Sequence, residues 1–179
     1  MSKARESFES SIKDAEELLA HFDRMPKPPS ENAEVLKRAG LVMALTAWET
    51  YIEDRVREEV ARRLRVVTGS YIGKFVQGKL EEELRRFHSP STEKTRRLFK
   101  DFLEVDVIGH WEWLHFDPAK ASKTLDELIV KRGEAVHRSK PVIAGVPPAP
   151  HLVKREDLDK AIRFLKGLVA ATDSALIEV

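Results

Sequence analysis

The sequence predicts an all-α fold of five to six helices with one long helix at the centre. Two observations carry this expectation. Only 8 of the 179 residues are glycine, β-branched residues rarely cluster, and the good helix formers Glu, Lys, Arg, Leu and Ala are abundant. Apolar residues also recur at three- and four-residue intervals over long stretches, the period of a helix with one face turned to a core.

The first helix is expected over Ser2 to Arg24. Phe8, Ile12, Ala15, Leu19 and Phe22 follow helical spacing, and Met25-Pro26-Lys27-Pro28-Pro29 ends it, because proline lacks the amide proton that a helix interior needs. Ser30 is placed to cap a second helix reaching about Val67. The middle of that helix, Ala39 to Trp48, is apolar on nearly all sides, so neighbours should enclose it. Gly69 and Ser70 interrupt, and Tyr71 to Phe87 reads as a third helix with Glu81, Glu82, Glu83, Arg85 and Arg86 on a solvated face. His88 to Thr92 is a turn with a cap, after which Thr92 to Glu104 sends Leu98, Phe99, Phe102 and Leu103 inward. Val105 to Phe116 is irregular and holds two of the three tryptophans. Asp117-Pro118 marks a helix start with proline at the first position, and that helix runs to about His137. Pro141, Gly145, Pro147, Pro148 and Pro150 imply an extended loop over 139–153, and Arg155 to about Ile177 forms the last helix.

A chain of 179 residues and 20.4 kDa normally completes one core, so a single domain over 1–179 is expected. No apolar run approaches the roughly 20 residues that cross a bilayer. The absence of cysteine removes disulfide frameworks, zinc ribbons and thiol catalysis. Met1 to Glu17 mixes Lys3, Arg5, Glu6, Glu9, Lys13 and Asp14 with few apolar residues, unlike a secretion signal, so a cytoplasmic location is expected. Lys and Arg number 31 against 30 Asp and Glu, a net charge of +1, and a polyanion site must therefore be local.

The segment from Leu125 to His137 is the informative one. On a wheel of ~100° per residue Leu125, Leu128, Ile129, Ala135 and Val136 form one apolar stripe, and Arg132 falls inside it. A guanidinium cannot be deprotonated, so in such a place it must be paired, reach a wet interface or hold an anion. His137 lies about 140° around and about 7.5 Å along the same helix. Helix geometry alone does not bring the two tips together. A second misfit, Glu49, shares a face of the long helix with Val42, Leu45, Val56 and Val60 and is flanked by Trp48. A carboxylate there wants a cation. The bland reading is a Glu49 to Arg132 ion pair that only fixes helix register.

Arg132-Gly-Glu-Ala-Val-His137 at the end of a helix, with Ala44 to Glu53 on the long helix before it, resembles the HEPN superfamily, and within it the prokaryotic subgroup associated with RNA-ligase-like and phosphoesterase partners and with defence loci. The resemblance covers roughly Glu31 to His137. It implies an up-and-down helical bundle, a homodimer, and metal-independent RNA cleavage with no cofactor, in which Arg132 clamps the scissile phosphate and His137 exchanges protons. Glu49 and Glu134 would support the pair. Lys131, Arg138 and Lys140 supply local positive charge suited to RNA, although each is equally explained as a cation favoured at a helix C-terminus. A toxin or defence effector with an antitoxin or operon-encoded protein partner fits the same resemblance. Many active members carry Asn, Asp or His directly after the arginine, where this chain has Gly133. That departure motivates a second reading, a catalytically inactive module that binds RNA, a nucleotide or a protein partner.

Other candidates carry less. His110-Trp-Glu-Trp-Leu-His115 lacks the spacing of metal ligands on a helix, and its aromatics are expected to close the core; no metal site is expected. Lys94, Arg96, Arg97 and Lys100, and Arg62, Arg63 and Arg65, fit solvated faces. There is no phosphate-cradling glycine loop, nucleophile elbow or Asp-rich cluster.

Overall fold

A computed structural model of the chain describes residues 1–137 and 153–177, the side chains of residues 31, 32 and 137 excepted. Six α-helices carry the described residues: α1 (Lys3–Asp23), α2 (Glu31–Arg63), α3 (Tyr71–Leu84), α4 (Thr92–Leu103), α5 (Pro118–His137) and α6 (Arg155–Ala175). The fold is the all-α bundle that the sequence predicts, with α2, of 33 residues and about 50 Å, as its central helix. None of the described helices is long and apolar enough to cross a membrane.

Serine sets most of the helix starts. The hydroxyls of Ser2, Ser30, Ser70 and Ser91 accept the backbone N–H of Arg5, Ala33, Gly73 and Lys94 and so satisfy one orphan donor in each first turn. Asp117 does the same before Pro118, accepting from Lys120 N–H at 2.8 Å. The ends differ from expectation in two places. The second helix is α-helical only to Arg63, and Leu64–Val67 tightens into a 3-10 turn where Val66 is 90% exposed and has no core to follow. The third stops at Leu84, because Arg86 and Phe87 donate to carbonyls three residues back, those of Glu83 and Leu84, and draw in the last turn.

The core is built on α2. Leu45, Trp48, Tyr51, Ile52 and Val56 are fully enclosed by Phe8 and Ile12 of α1, by Leu158, Leu165 and Val169 of α6 and by Leu125 of α5. Each large apolar side chain so enclosed contributes roughly 1.5–3 kcal/mol. Trp48 stacks on Tyr51 at 5.8 Å and meets Trp111 edge-on at 6.2 Å. The irregular segment 105–116 therefore closes the core, as expected. Trp111 is fully buried and satisfies its indole N–H on Thr172 Oγ1 at 2.9 Å, while Trp113 stacks on Phe116 and leans on Phe164. Gly167 of α6 makes room for it: a β-carbon there would lie 2.2 Å from Trp113 Nε1.

Candidate active site

Arg132 sits where the wheel places it. Leu125 and Ala135 are buried and Leu128 and Ile129 are half-buried, whereas Val136, expected on the same stripe, is 49% exposed. The Arg132 side chain retains 21% of its exposure and the Glu49 side chain 15%, with Nη1 3.3 Å from Glu49 Oε2. The two misfits of the sequence are thus partners, on α5 and α2.

The third element of this cluster is the turn between α3 and α4. Ser89 has a left-handed backbone, φ +52°, a conformation that costs a residue with a side chain on the order of 1 kcal/mol. It brings two groups of one residue to two helices. Ser89 N–H donates to Glu49 Oε2 at 3.1 Å, and Ser89 Oγ accepts from Arg132 Nη1 at 2.7 Å. Trp48 Nε1 donates to Pro90 O at 3.2 Å. At the start of α4, Thr92 N–H donates to Asp126 and Thr92 Oγ1 to the carbonyl of Ser122, both on α5. The turn is pinned to α2 and α5 at once.

His88 projects from this turn. Its Nδ1 lies 3.6 Å from Glu49 Oε1, and its side chain is 75% exposed. Lys94 Nζ donates to the His88 carbonyl. One turn along α2 from Glu49, burial pushes the Glu53 carboxyl up; Arg57 draws it down only in part, and the Glu49 charge adds to the rise. Arg132 Nε is buried without a hydrogen-bond partner among the described residues. A buried donor left unpaired costs about 1–3 kcal/mol, a penalty that an acceptor entering the cluster would relieve.

Of the other expected residues, Lys131 is placed outside this cluster: it turns to α6, where its ammonium donates to Asp157. Glu134 is half-buried on the last turn of α5, and the space beside Gly133 is open. His137 ends α5, with its side chain outside the description; Arg138, Lys140 and the Pro-rich loop up to residue 152 lie outside the described residues altogether. The basic faces elsewhere are paired surface: Arg96 and Lys100 with Asp106, Arg97 with Glu83, and Arg62 and Arg63 with Glu59. Among the described residues no group of three or more His, Asp or Glu side chains is placed to hold a metal ion.

Sequence reasoning missed His88 and Ser89. Serine next to proline reads as a turn, and nothing in local spacing shows that the turn falls over Glu49, 40 residues earlier in the chain. Neither a curated protein nor a solved structure matches the chain. A family model, RiboL-PSP-HEPN, matches residues 7–178 and so takes in α2, the α3–α4 turn and α5 together. The chain therefore belongs to the RiboL-PSP-HEPN family.

Proposed function

We propose that the chain is a metal-independent endoribonuclease of HEPN type that works as a homodimer. Family membership supports the broad class, an RNase-like or nucleotide-binding module. The observation that carries the finer reading is Arg132, a cation at a half-open edge whose Nη1 is fixed by Glu49 and Ser89 while its buried Nε has no partner among the described residues. A guanidinium so oriented suits phosphate, which accepts paired N–H donors, and stabilises charge gathering on the phosphoryl oxygens.

The reaction needs no redox partner. The ribose 2′-oxygen attacks the adjacent phosphorus and gives up its proton to a base; the bond from phosphorus to the 5′-oxygen breaks, and an acid protonates that oxygen, leaving a cyclic phosphate and a 5′-hydroxyl. Histidine titrates in the right range for both transfers. Two antiparallel copies of α5 gather Arg132 and His137 of both protomers at one cleft, which removes the divergence of the two residues along a single helix. Glu49 supports Arg132, and Lys131, Arg138, Lys140 and Glu134 line the approach. A role as toxin or defence effector, held by an antitoxin or another protein encoded nearby, is the matching biological setting.

The test is RNA cleavage in EDTA by the wild type beside Arg132→Ala and His137→Ala, each verified as folded and dimeric. Loss of about 10²–10⁴ in rate for each variant is expected. Equal cleavage by all three, or none by the wild type, overturns the reading, and RNA or nucleotide binding without cleavage would then favour the inactive module that Gly133 suggests.

A further inference from the structure

We propose that His88 is a proton-transfer residue of this centre, with Glu49 as the carboxylate that orients its imidazole; the proposal rests on the ribonuclease reading above. The argument starts from how Glu49 divides its two oxygens. Oε2 is taken by Ser89 N–H and Arg132 Nη1, at 3.1 and 3.3 Å. Oε1 faces His88 Nδ1 at 3.6 Å, longer than a hydrogen bond and within the range that closes when a substrate tightens a site. One carboxylate therefore holds the candidate phosphate clamp and a histidine together. Nε2 lies on the opposite edge of the ring from Glu49.

The exposure of His88 does not come from a loosely held loop. The turn that follows it is fastened by Trp48 and Glu49 from α2 and by Arg132, Ser122 and Asp126 from α5. Ser89 sustains a left-handed backbone within it, and strain of this kind persists only where the surroundings over-determine it. A mount that leaves one imidazole outward on the carboxylate that also holds a guanidinium is what a site needs in order to place a proton acceptor near a bound phosphodiester. The charged group facing the His88 imidazole is Glu49 from α2; Arg132 from α5 binds the other oxygen of the same carboxylate, and Lys94 from α4 donates to the His88 carbonyl.

In the reaction, His88 Nε2 takes the proton of the 2′-hydroxyl as the bond from O2′ to phosphorus forms. The imidazolium that results is stabilised by Glu49, and His137 returns a proton to the departing 5′-oxygen. Each protomer then carries an imidazole on the same carboxylate as its own Arg132, so the base does not have to come from the partner.

The experiment compares wild type, His88→Ala, His88→Gln, His137→Ala and, as a control outside the cluster, His110→Ala, on an oligonucleotide with a single ribonucleotide in EDTA. Both His88 variants should melt within a degree or two of wild type, lose about 10²–10⁴ in kcat with KM changed less than threefold, and lose the acidic limb of the kcat/KM profile. Added imidazole should restore part of the His88→Ala rate and none of the His137→Ala rate. In the wild type, an all-2′-deoxy version of the oligonucleotide should shift the His88 imidazole resonances. Wild-type rates in both His88 variants, with His137→Ala inactive, would remove His88 and leave the ribonuclease reading standing. A rate loss with the acidic limb retained and no rescue by imidazole would make His88 merely structural and equally overturn the proposal. A wild type that cleaves nothing overturns both readings.

Discussion

Two polar clusters lie on the same face-to-core helix, about 9 Å apart along α2, and they differ in what they leave open. At Arg55 the cluster is nearly buried. Arg55 Nε donates to Asp173 Oδ1 at 2.9 Å, its Nη1 lies 3.5 Å from Glu59, and the side chains of Arg55, Asp173 and Glu59 keep 7%, 4% and 3% of their exposure. Ser2 Oγ donates to the same Asp173 oxygen at 2.7 Å, and Tyr51 OH reaches the carbonyl of Val169 at 3.3 Å. Burial, joined by the Asp173 charge, pushes the Tyr51 hydroxyl well above its ordinary range, so it stays a neutral donor. At Glu49 an ion pair of the same residue types keeps a solvent-facing edge, an Arg132 Nε with no partner among the described residues and an outward histidine. A nearly buried ion network holds α1, α2 and α6 in register; a more open one holds α2 and α5 and has capacity left for a ligand. Pairing of charges alone does not distinguish structure from function. How far the charged groups stay open to solvent does.

The sharpest way to break this comparison is Asp173→Ala. It takes from the buried Arg55 its nearest carboxylate and leaves Glu59, 3.5 Å away, as counter-charge; removing one partner of a buried pair costs up to about 3–5 kcal/mol, or on the order of 10 °C in Tm for a chain of this size. Urea unfolding measures the cost, and RNA cleavage well below the new Tm should be unchanged. A loss under 1 kcal/mol would mean that the network is not what ties the N-terminus to α6.

Glu49→Gln should behave in the opposite sense. Its amide can still accept from Ser89 N–H, and Arg132 retains solvent and Ser89 Oγ, so the stability loss should be about 1–2 kcal/mol. Cleavage should fall by at least tenfold because both Arg132 and His88 lose their orienting charge. If instead Glu49→Gln matched Asp173→Ala in stability and left cleavage intact, the two clusters would be of one kind, and the ion pair would only set helix register.

Much of this contrast was readable in the sequence, and the unread part has a physical reason. Helical periodicity placed Glu49 and Arg132 on inward faces, and the two do meet. Ser30 and Asp117-Pro118 marked the starts of the two helices that carry them. Periodicity reports which face of a helix turns inward, but not which loop lies over that face. The roles of Ser89 and Pro90 depend on a turn packed across α2, and Asp173 is joined to Arg55 across 118 residues. Asp173 lies inward on α6 beside Leu168, Val169 and Ala171, and nothing in its local spacing names Arg55 as its partner. Lys131, expected as local positive charge or as a cation favoured at a helix C-terminus, pairs with Asp157 of α6, a partner that helix periodicity does not reveal.

That pairing gives the smallest expected effect. Lys131 and Asp157 are both about one-third exposed, so Lys131→Gln should reduce stability by roughly 0.2–1 kcal/mol, less in high salt. Partial burial pushes the Asp157 carboxyl up, but the Lys131 ammonium and the Lys154 N–H outweigh it and hold the group below the usual carboxylate range. A carboxylate lowered in the folded state contributes stability that is present above its unfolded pKa of about 3.9 and is lost as pH falls through the lower folded value. The gap between wild type and Lys131→Gln should therefore be constant from neutrality to about pH 5 and close in stronger acid. On the RNA side, a lysine that gives up a phosphate contact reduces the slope of log affinity against log salt by about 1. Because Asp157 competes for the ammonium, the slope should change by clearly less than that, whereas Asp157→Asn should tighten RNA binding by freeing Lys131. A full unit of slope lost in Lys131→Gln, with no gain in Asp157→Asn, would show that the ammonium leaves Asp157 for phosphate at negligible cost and would extend the half-open region from Glu49 to the end of α5.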